Sequence, residues 1–239
     1  GKYNETPAMV AAALARFIEQ GWVNLVGGCC GNTPAYIREI AKVARAGRPR
    51  KPATARLTHV SGIDYVPCEE SSRPLIVGER TNVTGSKKFR DLIMTGKIEE
   101  AAEIGRKQVK AGAHILDVNL QHTEVDELGA TNAFFDKLIR MVKVPFMIDT
   151  TNPKGVELAL SWSQGKALIN SINLEDGEDK FEKISGLARR YGAALVVGCI
   201  DEKGQAISAA GKLAVAERSY DLLTKKYGIP ARDLIFDPL

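Results

Sequence analysis

The sequence contains few cysteines, histidines and aromatic residues. Among its 239 residues there are four cysteines and three histidines, and aromatic residues make up 6%. Two of the cysteines, Cys29 and Cys30, are adjacent, and a bridge between such neighbours forces a strained ring. The sequence therefore does not predict a disulfide framework, and it favours a reducing, cytoplasmic compartment.

Long apolar runs and a strong excess of one charge are also missing. No run reaches the ~20 residues of a membrane span, and no signal peptide is evident. The net charge is +4, and the densest basic cluster, over 45–56, is rich in proline. That composition is typical of a solvated linker rather than of a nucleic-acid-binding arm. We expect neither nucleic acid nor a membrane as a partner.

The length of 239 residues suits one large domain or two smaller ones, and the apolar content of 44% is enough for a buried core. Thr6 and Pro7 are typical of a helix start, and the apolar spacing predicts a helix over 7–20. A short buried strand over 22–28 and a second helix from Pro34 to about residue 45 are predicted next. This order is typical of an α/β fold, and the opening of the sequence looks like the interior of a longer chain.

From residue 74 onward, apolar runs alternate with helical stretches. We predict strands in six of these runs, at 74–82, 113–119, 144–151, 166–173, 193–201 and 233–239. We predict helices at 98–111, 131–142, 153–162, 178–191 and 212–227. Because the runs are continuously apolar, the strands are expected to be buried on both faces and to pair in parallel. Such units without a dinucleotide-binding glycine fingerprint favour a (β/α)8 TIM barrel over an open sheet, with six of its strands present.

Most of these strands end in an acidic or amide side chain. The set comprises Glu79, Asn82, Asp117, Asn119, Asp149, Asn170, Asn173, Asp201 and Asp237. Each alone can be explained as a turn or helix cap. In a parallel barrel, however, all of these ends open on one face, where binding sites form. Together they predict a floor for the edge of a flat heterocycle with amino, ring N–H and carbonyl groups, rather than for a phosphate, and they are a weak signal for a metal.

The segment GERTNVTGSKKF, at 78–89, follows the first of these strands and is a second candidate. Gly85 and Ser86 let the backbone approach a ligand, and Lys87 and Lys88 are suited to carboxylates on its tail. An ordinary Gly-Ser turn with exposed lysines explains the same residues equally well.

Several strings, in order, resemble the pterin-binding barrel of cobalamin-dependent methionine synthases. They are VGERTNVTGSKKF, GAHILDVN, PFMIDTT, ALINSIN, RRYGAALVVGCIDEKGQA and LIFDPL. Upstream, GWVNLVGGCCGNTPAYIREIAKVA resembles the C-terminal end of that family's homocysteine-binding barrel. The resemblance implies the end of a TIM-type homocysteine and zinc domain at 1–47, a linker at 48–73, and a pterin-binding barrel at 74–239 that is incomplete at its C-terminus.

The resemblance also implies a role for the cysteine pair. In this family two adjacent cysteines and a third from an earlier strand hold a zinc ion, which activates the homocysteine thiol. Cys29 and Cys30 are thus the implied zinc ligands, in a site that is incomplete in this chain. Neither Cys68 nor Cys199 is expected to be a ligand.

For the second barrel, the resemblance implies 5-methyltetrahydrofolate as the substrate, whose methyl group passes through cob(I)alamin to homocysteine. The implied folate-binding residues are Gly85, Ser86, Lys87, Asp117, Asn119, Asp149, Asn170 and Asp237. Asn170 and Asp149 are the implied catalytic residues, because hydrogen bonds around N5 favour the proton that N5 gains as the methyl group leaves. Cobalamin is expected on another domain of the same polypeptide.

Other interpretations stay open. The chain can also be another corrinoid-dependent methyltetrahydrofolate methyltransferase or a pterin enzyme of the dihydropteroate synthase type, although the cysteine pair and linker disfavour the latter. A non-catalytic pterin-binding module and a methyltransferase that uses only the zinc site are further alternatives. The stretch LQHTEVDELG, after DVN, departs from the acidic, glycine-containing stretch of many relatives, so the resemblance assigns it no role.

Overall fold

The computed structural model of the protein describes residues 4–51 and 57–239. The chain divides into two compact units, Gly1–Ala55 and Arg56–Leu239. Part of the basic segment predicted to be a linker, residues 52–56, lies outside the described residues.

The first unit contains two helices that pack against each other, α1 (Pro7–Glu19) and α2 (Pro34–Ala46). Thr6 caps α1, because its side-chain oxygen accepts a hydrogen bond from the backbone N–H of Met9 at 3.3 Å. Both predicted helices are confirmed, and each begins at a proline whose fixed φ suits the first helical position.

The predicted buried strand over 22–28 was wrong. In the described part of the first unit these residues form no strand, and Leu25 is 91% exposed. The side chain of Asn24 instead accepts a hydrogen bond from the backbone N–H of Arg50 at 2.8 Å. A strand needs a neighbouring strand to bond its backbone groups, and the described residues of this unit supply none.

The second unit is an α/β fold around a six-stranded parallel sheet. Its strands are β1 (His59–Ser61), β2 (Tyr65–Pro67), β3 (Val77–Asn82), β4 (Ile115–Asn119), β5 (Phe146–Asp149), β6 (Leu168–Ile172), β7 (Ala194–Gly198), β8 (Ile200–Asp201), β9 (Gly204–Gln205) and β10 (Leu234–Asp237). Its helices are α3 (Lys87–Met94), α4 (Ile98–Lys110), α5 (Glu127–Leu138), α6 (Pro153–Trp162), α7 (Glu178–Tyr191) and α8 (Ala209–Asp221), the last continuing into a π-helical turn at Leu222–Lys226.

The order of strands in the parallel sheet follows the chain, with β3 at one edge and β10 at the other. Each of the six predicted apolar runs contains one of these strands, which confirms the parallel α/β architecture. Gly112 and Gly192 follow α4 and α7 with positive φ values of 102° and 69°, a conformation that suits glycine and ends a helix. Helix α3 and the antiparallel hairpin of β8 and β9 were not predicted.

A row of phenylalanines packs between the sheet and its helices. Four phenylalanine side chains are at most 2% exposed: Phe89, Phe134, Phe135 and Phe146. Successive rings in this row meet edge to face at centroid distances of 5.1, 6.1 and 5.1 Å. These rings join α3, α5 and β5 and hold the strand ends of this side in place.

The hairpin of β1 and β2 covers the amino-terminal end of the sheet. Val60 is fully buried in a separate cluster with Ile115, Leu168 and Ala194, which begin β4, β6 and β7. The backbone N–H of Ser61 donates to the carbonyl of Lys166 at 2.9 Å. This hairpin lies within the predicted linker 48–73, so the later part of that segment packs on the sheet, and the opposite, carboxyl-terminal end is left for a site.

None of the helices in the two described ranges has the length and apolar character that crossing a bilayer requires.

Candidate functional site

The carboxyl ends of β3 to β6 bring together five acidic and amide side chains. They are Asn82, Asp117, Asn119, Asp149 and Asn170, called here the mouth cluster. Asn82 and Asp117 are each 3% exposed, whereas the other three are half-buried. The strand register brings these side chains together, because Asn82 lies opposite Asn119 and Asp149 lies opposite Asn170 on neighbouring strands.

Amide groups hold the two carboxylates of the mouth cluster. Nδ2 of Asn82 donates to Oδ2 of Asp117 at 3.0 Å and to Oδ2 of Asp149 at 2.9 Å. Nδ2 of Asn119 also donates to Oδ2 of Asp149, at 3.0 Å, and Nδ2 of Asn170 reaches Oδ1 of Asp117 at 3.5 Å. The two carboxylates therefore share one neutral donor, and among the described residues no cationic side chain is bonded to either of them.

Asn82 also ties the mouth cluster to the loop after β3. Its Oδ1 accepts hydrogen bonds from the backbone N–H groups of Thr84 at 2.9 Å and Gly85 at 3.0 Å. Sequence reasoning placed Asn82 among the strand ends but did not select it as a site residue. The sequence signal that could have selected Asn82 is Gly85, three positions later. A turn at this glycine brings its backbone N–H back to the side chain of Asn82.

Burial raises the pKa of Asp117 to about 6, and the nearby charge of Asp149 acts in the same direction. Hydrogen bonds from Asn82 and Asn170 lower the same pKa but do not outweigh burial. A carboxylate removed from water without a cation to pair with is costly to ionise, so the amides of the mouth cluster are the groups that stabilise its charge.

Three predicted residues keep hydrogen-bonding capacity at the mouth. Among the described residues, no donor is bonded to Oδ1 of Asp149, to Oδ1 of Asn170 or to Oδ2 of Asp237. Asp237 is exposed at the end of β10, outside the mouth cluster, where its Oδ1 accepts from the backbone N–H of Leu239 at 2.8 Å. These free oxygens are acceptors suited to a ligand that presents N–H groups.

The loop residues predicted from GERTNVTGSKKF occupy three different environments. Gly85 is exposed next to Asn82. Ser86 is 8% exposed and caps α3 by accepting from the backbone N–H of Phe89 at 3.3 Å. Lys87 is exposed and pairs with Asp91, one turn along the helix, at 2.7 Å. The structure thus bonds Gly85 to a side chain of the mouth cluster and gives Ser86 a capping role.

Two other strand-end residues have an ordinary turn role. Oδ1 of Asn173 accepts from the backbone N–H of Glu175 at 3.0 Å, and Oδ1 of Asp201 accepts from that of Lys203 at 2.9 Å. Asn173 and Asp201 are therefore turn caps, as the alternative explanation of the strand-end pattern proposed.

In the first unit, Sγ of Cys29 lies 3.9 Å from Sγ of Cys30, and both residues are exposed. Two thiolates bound tetrahedrally to one zinc ion, with Zn–S near 2.3 Å, lie about 3.8 Å apart, so the pair fits two of the four zinc positions. Within 4–51 and 57–239 no group of three His, Cys, Asp or Glu side chains could hold a metal. Cys199 is buried and Cys68 half-buried.

Two family patterns match different parts of the chain. The sequence pattern of the family described as pterin binding enzyme matches residues 78–239, which carry the mouth cluster. The pattern described as homocysteine S-methyltransferase matches residues 1–44, which carry the cysteine pair.

Among solved structures, three structures of two dihydropteroate synthases (DHPS) are similar in fold. The Xanthomonas albilineans enzyme in complex with 7,8-dihydropteroate has a TM-score of 0.50 at 18% identity, over 70% of this chain and 59% of that one. The same enzyme with indole-2-carboxylic acid and 6-chloroguanine gives 0.56 at 17% identity, over 76% and 65%. A Yersinia pestis DHPS with a pterine-sulfa conjugate gives 0.52 at 17% identity, over 76% and 64%. The chain spans less than two thirds of each of these proteins, and at such identities the likeness concerns the fold alone.

Proposed function

Because the chain belongs to the pterin binding enzyme family, we propose that the second unit binds 5-methyltetrahydrofolate at the carboxyl ends of its parallel strands. The observation that carries the proposal is the set of free acceptor oxygens on Asp149, Asn170 and Asp237. A pterin presents amino and ring N–H donors along one edge, and carboxylates are the acceptors that bind such donors most strongly. The mouth cluster offers amide and carboxylate groups, as a neutral heterocycle requires.

We further propose that the bound folate is a methyl donor. When the methyl carbon leaves N5, the C–N bond breaks, N5 keeps the electron pair, and a proton must be supplied there. Asn170, held against Asp117 at 3.5 Å, is the residue of this chain that we assign to a hydrogen bond near N5, where it favours the protonated amine. Cobalamin, carried by another domain, supplies the nucleophile that accepts the methyl group.

The first unit supports homocysteine as the final methyl acceptor. Its match to the homocysteine S-methyltransferase pattern covers residues 1–44, and the 3.9 Å spacing of Cys29 and Cys30 fits two zinc ligands. In this proposal the two thiolates hold one side of a zinc ion whose remaining ligands come from elsewhere. Zinc lowers the pKa of a bound thiol, so that its thiolate is available at neutral pH.

A dihydropteroate synthase activity is the second candidate, since the similar solved structures are enzymes of that name. The two candidates differ in the first unit, because a cysteine pair inside a homocysteine S-methyltransferase match has a role in methyl transfer and none in pteroate synthesis. Incubation of the full-length polypeptide with methyltetrahydrofolate and cob(I)alamin, and separately with a dihydropterin and 4-aminobenzoic acid, tells them apart by the product formed.

The binding proposal is tested by titrating 5-methyltetrahydrofolate into the full-length polypeptide. We expect Asp149→Asn and Asp237→Asn each to weaken binding by about 10- to 100-fold, because each removes a hydrogen bond to a charged group, worth about 1.5–3 kcal/mol. Asn170→Ala is expected to weaken binding by about 2- to 10-fold, because a neutral hydrogen bond contributes about 0.5–1.5 kcal/mol. Asn173→Ala is the matched control, since it removes a strand-end amide that bonds only within its own turn. Unchanged affinity in all three variants contradicts the proposal.

A further inference from the structure

Four consecutive residues, 149–152, are each bonded to the stretch 119–127, which runs from the last residue of β4 to the first residue of α5. Asp149 accepts from Asn119 at 3.0 Å. The backbone N–H of Thr151 donates to Oε1 of Gln121 at 3.0 Å, and Nε2 of Gln121 lies 2.9 Å from Oγ1 of Thr151. Gln121 is in turn fixed by its own backbone N–H, which donates to Oδ1 of Asn119 at 2.8 Å. The stretch whose sequence departs from relatives therefore holds the loop that follows Asp149.

Glu127, in the first turn of α5, holds the rest of that loop. Its Oε1 accepts a hydrogen bond from the hydroxyl of Thr150, and its Oε2 accepts one from Nδ2 of Asn152 at 2.9 Å. Oδ1 of Asn152 caps α6 by accepting from the backbone N–H of Lys154 at 3.1 Å. Each carboxylate oxygen of Glu127 therefore bonds a different residue between Asp149 and the start of the next helix.

Gly155 provides the space for this carboxylate. A Cβ atom at this buried position would lie 2.5 Å from Oε1 of Glu127 and 3.3 Å from Cγ2 of Thr150. Within a helix alanine is favoured over glycine by about 1 kcal/mol, so glycine here carries an intrinsic cost. The close approach of Glu127 to α6 explains why a glycine suits the position.

From these contacts we propose that Glu127 is a positioning residue for Asp149. It fixes the loop 150–152, and the loop together with Asn119 sets the direction in which the free Oδ1 of Asp149 faces the ligand. This inference rests on the proposed binding of a pterin by Asp149. It gives the divergent stretch after β4 a function, as support for the binding carboxylate.

The test is a double-mutant cycle on the full-length polypeptide, read out by the Kd for 5-methyltetrahydrofolate and by the unfolding midpoint. We expect Glu127→Ala to weaken binding about tenfold in the wild type and to have no effect on Kd in an Asp149→Asn background. Its effect on the unfolding midpoint is expected to be equal in both backgrounds, since lost packing does not depend on Asp149. Glu127→Gln, which keeps one acceptor oxygen and the shape, is expected to retain most of the affinity.

Gly155→Ala is a second, independent variant. It is expected to weaken binding when Glu127 is present and to have no further effect once Glu127 is alanine, because the space is then free. Glu157→Gln, on the same helix but bonded to Arg190 at 2.8 Å, is the matched control and is expected to bind as the wild type does.

The outcomes separate the two proposals. If Asp149→Asn binds the folate normally, the proposed function is wrong at this residue and the positioning role falls with it. If Asp149→Asn weakens binding while Glu127→Ala and Gly155→Ala do not, or if Glu127→Ala costs the same in both backgrounds, Glu127 does not act through Asp149 and this inference is overturned.

Discussion

Asn82 and Asp149 end two strands that are not adjacent, and Nδ2 of Asn82 spans the distance between them with a 2.9 Å hydrogen bond to Oδ2 of Asp149. The second hydrogen of the same amide bonds Asp117, on the strand between. A single neutral residue therefore bonds two acidic ones, and its removal takes away the donor that they share, leaving Asn119 on Asp149 and Asn170 on Asp117.

Asn82→Asp is expected to destabilise the fold by about 3 kcal/mol at neutral pH, because it replaces the shared donor with a buried carboxylate beside those of Asp117 and Asp149. Protonation relieves part of this repulsion, so the loss is expected to shrink as the pH falls toward 5. Denaturant unfolding of wild type and variant at several pH values measures the effect. Asn132→Asp adds the same charge at an exposed position of α5, and an equal loss there would contradict this explanation.

The stability of the protein is expected to depend on the ionisation of Asp117. Its pKa is raised from 3.8 to about 6 in the native state, so the native carboxyl keeps its proton to a higher pH than the unfolded one. The resulting stabilisation is complete below pH ~4 and is lost as the pH rises through about 6, an effect on the order of 3 kcal/mol.

Unfolding free energies measured from pH 4 to 7 test this expectation. The free energy of the wild type should fall relative to that of Asp117→Asn as the pH rises, since the variant has no proton to lose at this position. Asp91→Asn, on the exposed surface of α3, serves as the control and should run parallel to the wild type. Parallel curves for Asp117→Asn would show that the carboxyl titrates normally.

Gly62 and Gly186 are expected to respond in opposite directions to alanine. A Cβ at Gly62 would lie 2.3 Å from the carbonyl oxygen of Lys143 and 2.5 Å from that of Val144, so the backbone would have to move. We expect a loss of about 2 kcal/mol or more. Gly186, inside α7, has nothing within 4 Å of its added Cβ, and alanine there should stabilise the helix by up to about 1 kcal/mol. Thermal unfolding of both variants checks the sign of each change.

Lys166 and Asp233 form an ion pair at the amino-terminal end of the sheet, 2.5 Å apart, with side chains only 13% and 11% exposed. Asp233→Asn is expected to cost about 3 kcal/mol of unfolding free energy, because it leaves a buried ammonium without its counter-charge. The exposed pair of Lys87 and Asp91 provides the comparison, and Asp91→Asn should cost less than about 1 kcal/mol. Equal losses in a denaturant titration would mean that burial does not set the strength of these pairs.

Much of the fold could be predicted from the sequence because its parallel strands are continuous apolar runs separated by helices that end in glycine. The run at 22–28 is equally apolar, but it forms no strand, since apolar character alone does not provide a neighbouring strand to bond. Helix α3 was missed because its eight residues are too few for an apolar period to stand out beside the Gly-Ser sequence before it.

The sequence predicted most of the residues of the mouth cluster, but not the hydrogen bonds between them. Strand-end position selected Asp117, Asn119, Asp149 and Asn170, and the parallel register does bring them together. Which atoms bond depends on register and on the curvature of the sheet, so the shared donor, Asn82, was not separated from ordinary turn formers. That these residues bind a folate is a prediction, which the affinities of the variants for 5-methyltetrahydrofolate test.

The hairpin beneath the sheet joins residues that are far apart in the sequence. The backbone N–H of Ser61 donates to the carbonyl of Lys166, and the backbone N–H of Lys166 donates to Oγ of Ser61, although the two residues are 105 positions apart. Because closing so long a loop costs entropy before any contact is gained, we expect β1 and β2 to dock late in folding, after β4, β6 and β7 have paired. The amide hydrogens of this hairpin should consequently exchange with solvent earlier than those of the central strands, and a transient opening there would expose Val60 to water while leaving the opposite end of the sheet intact.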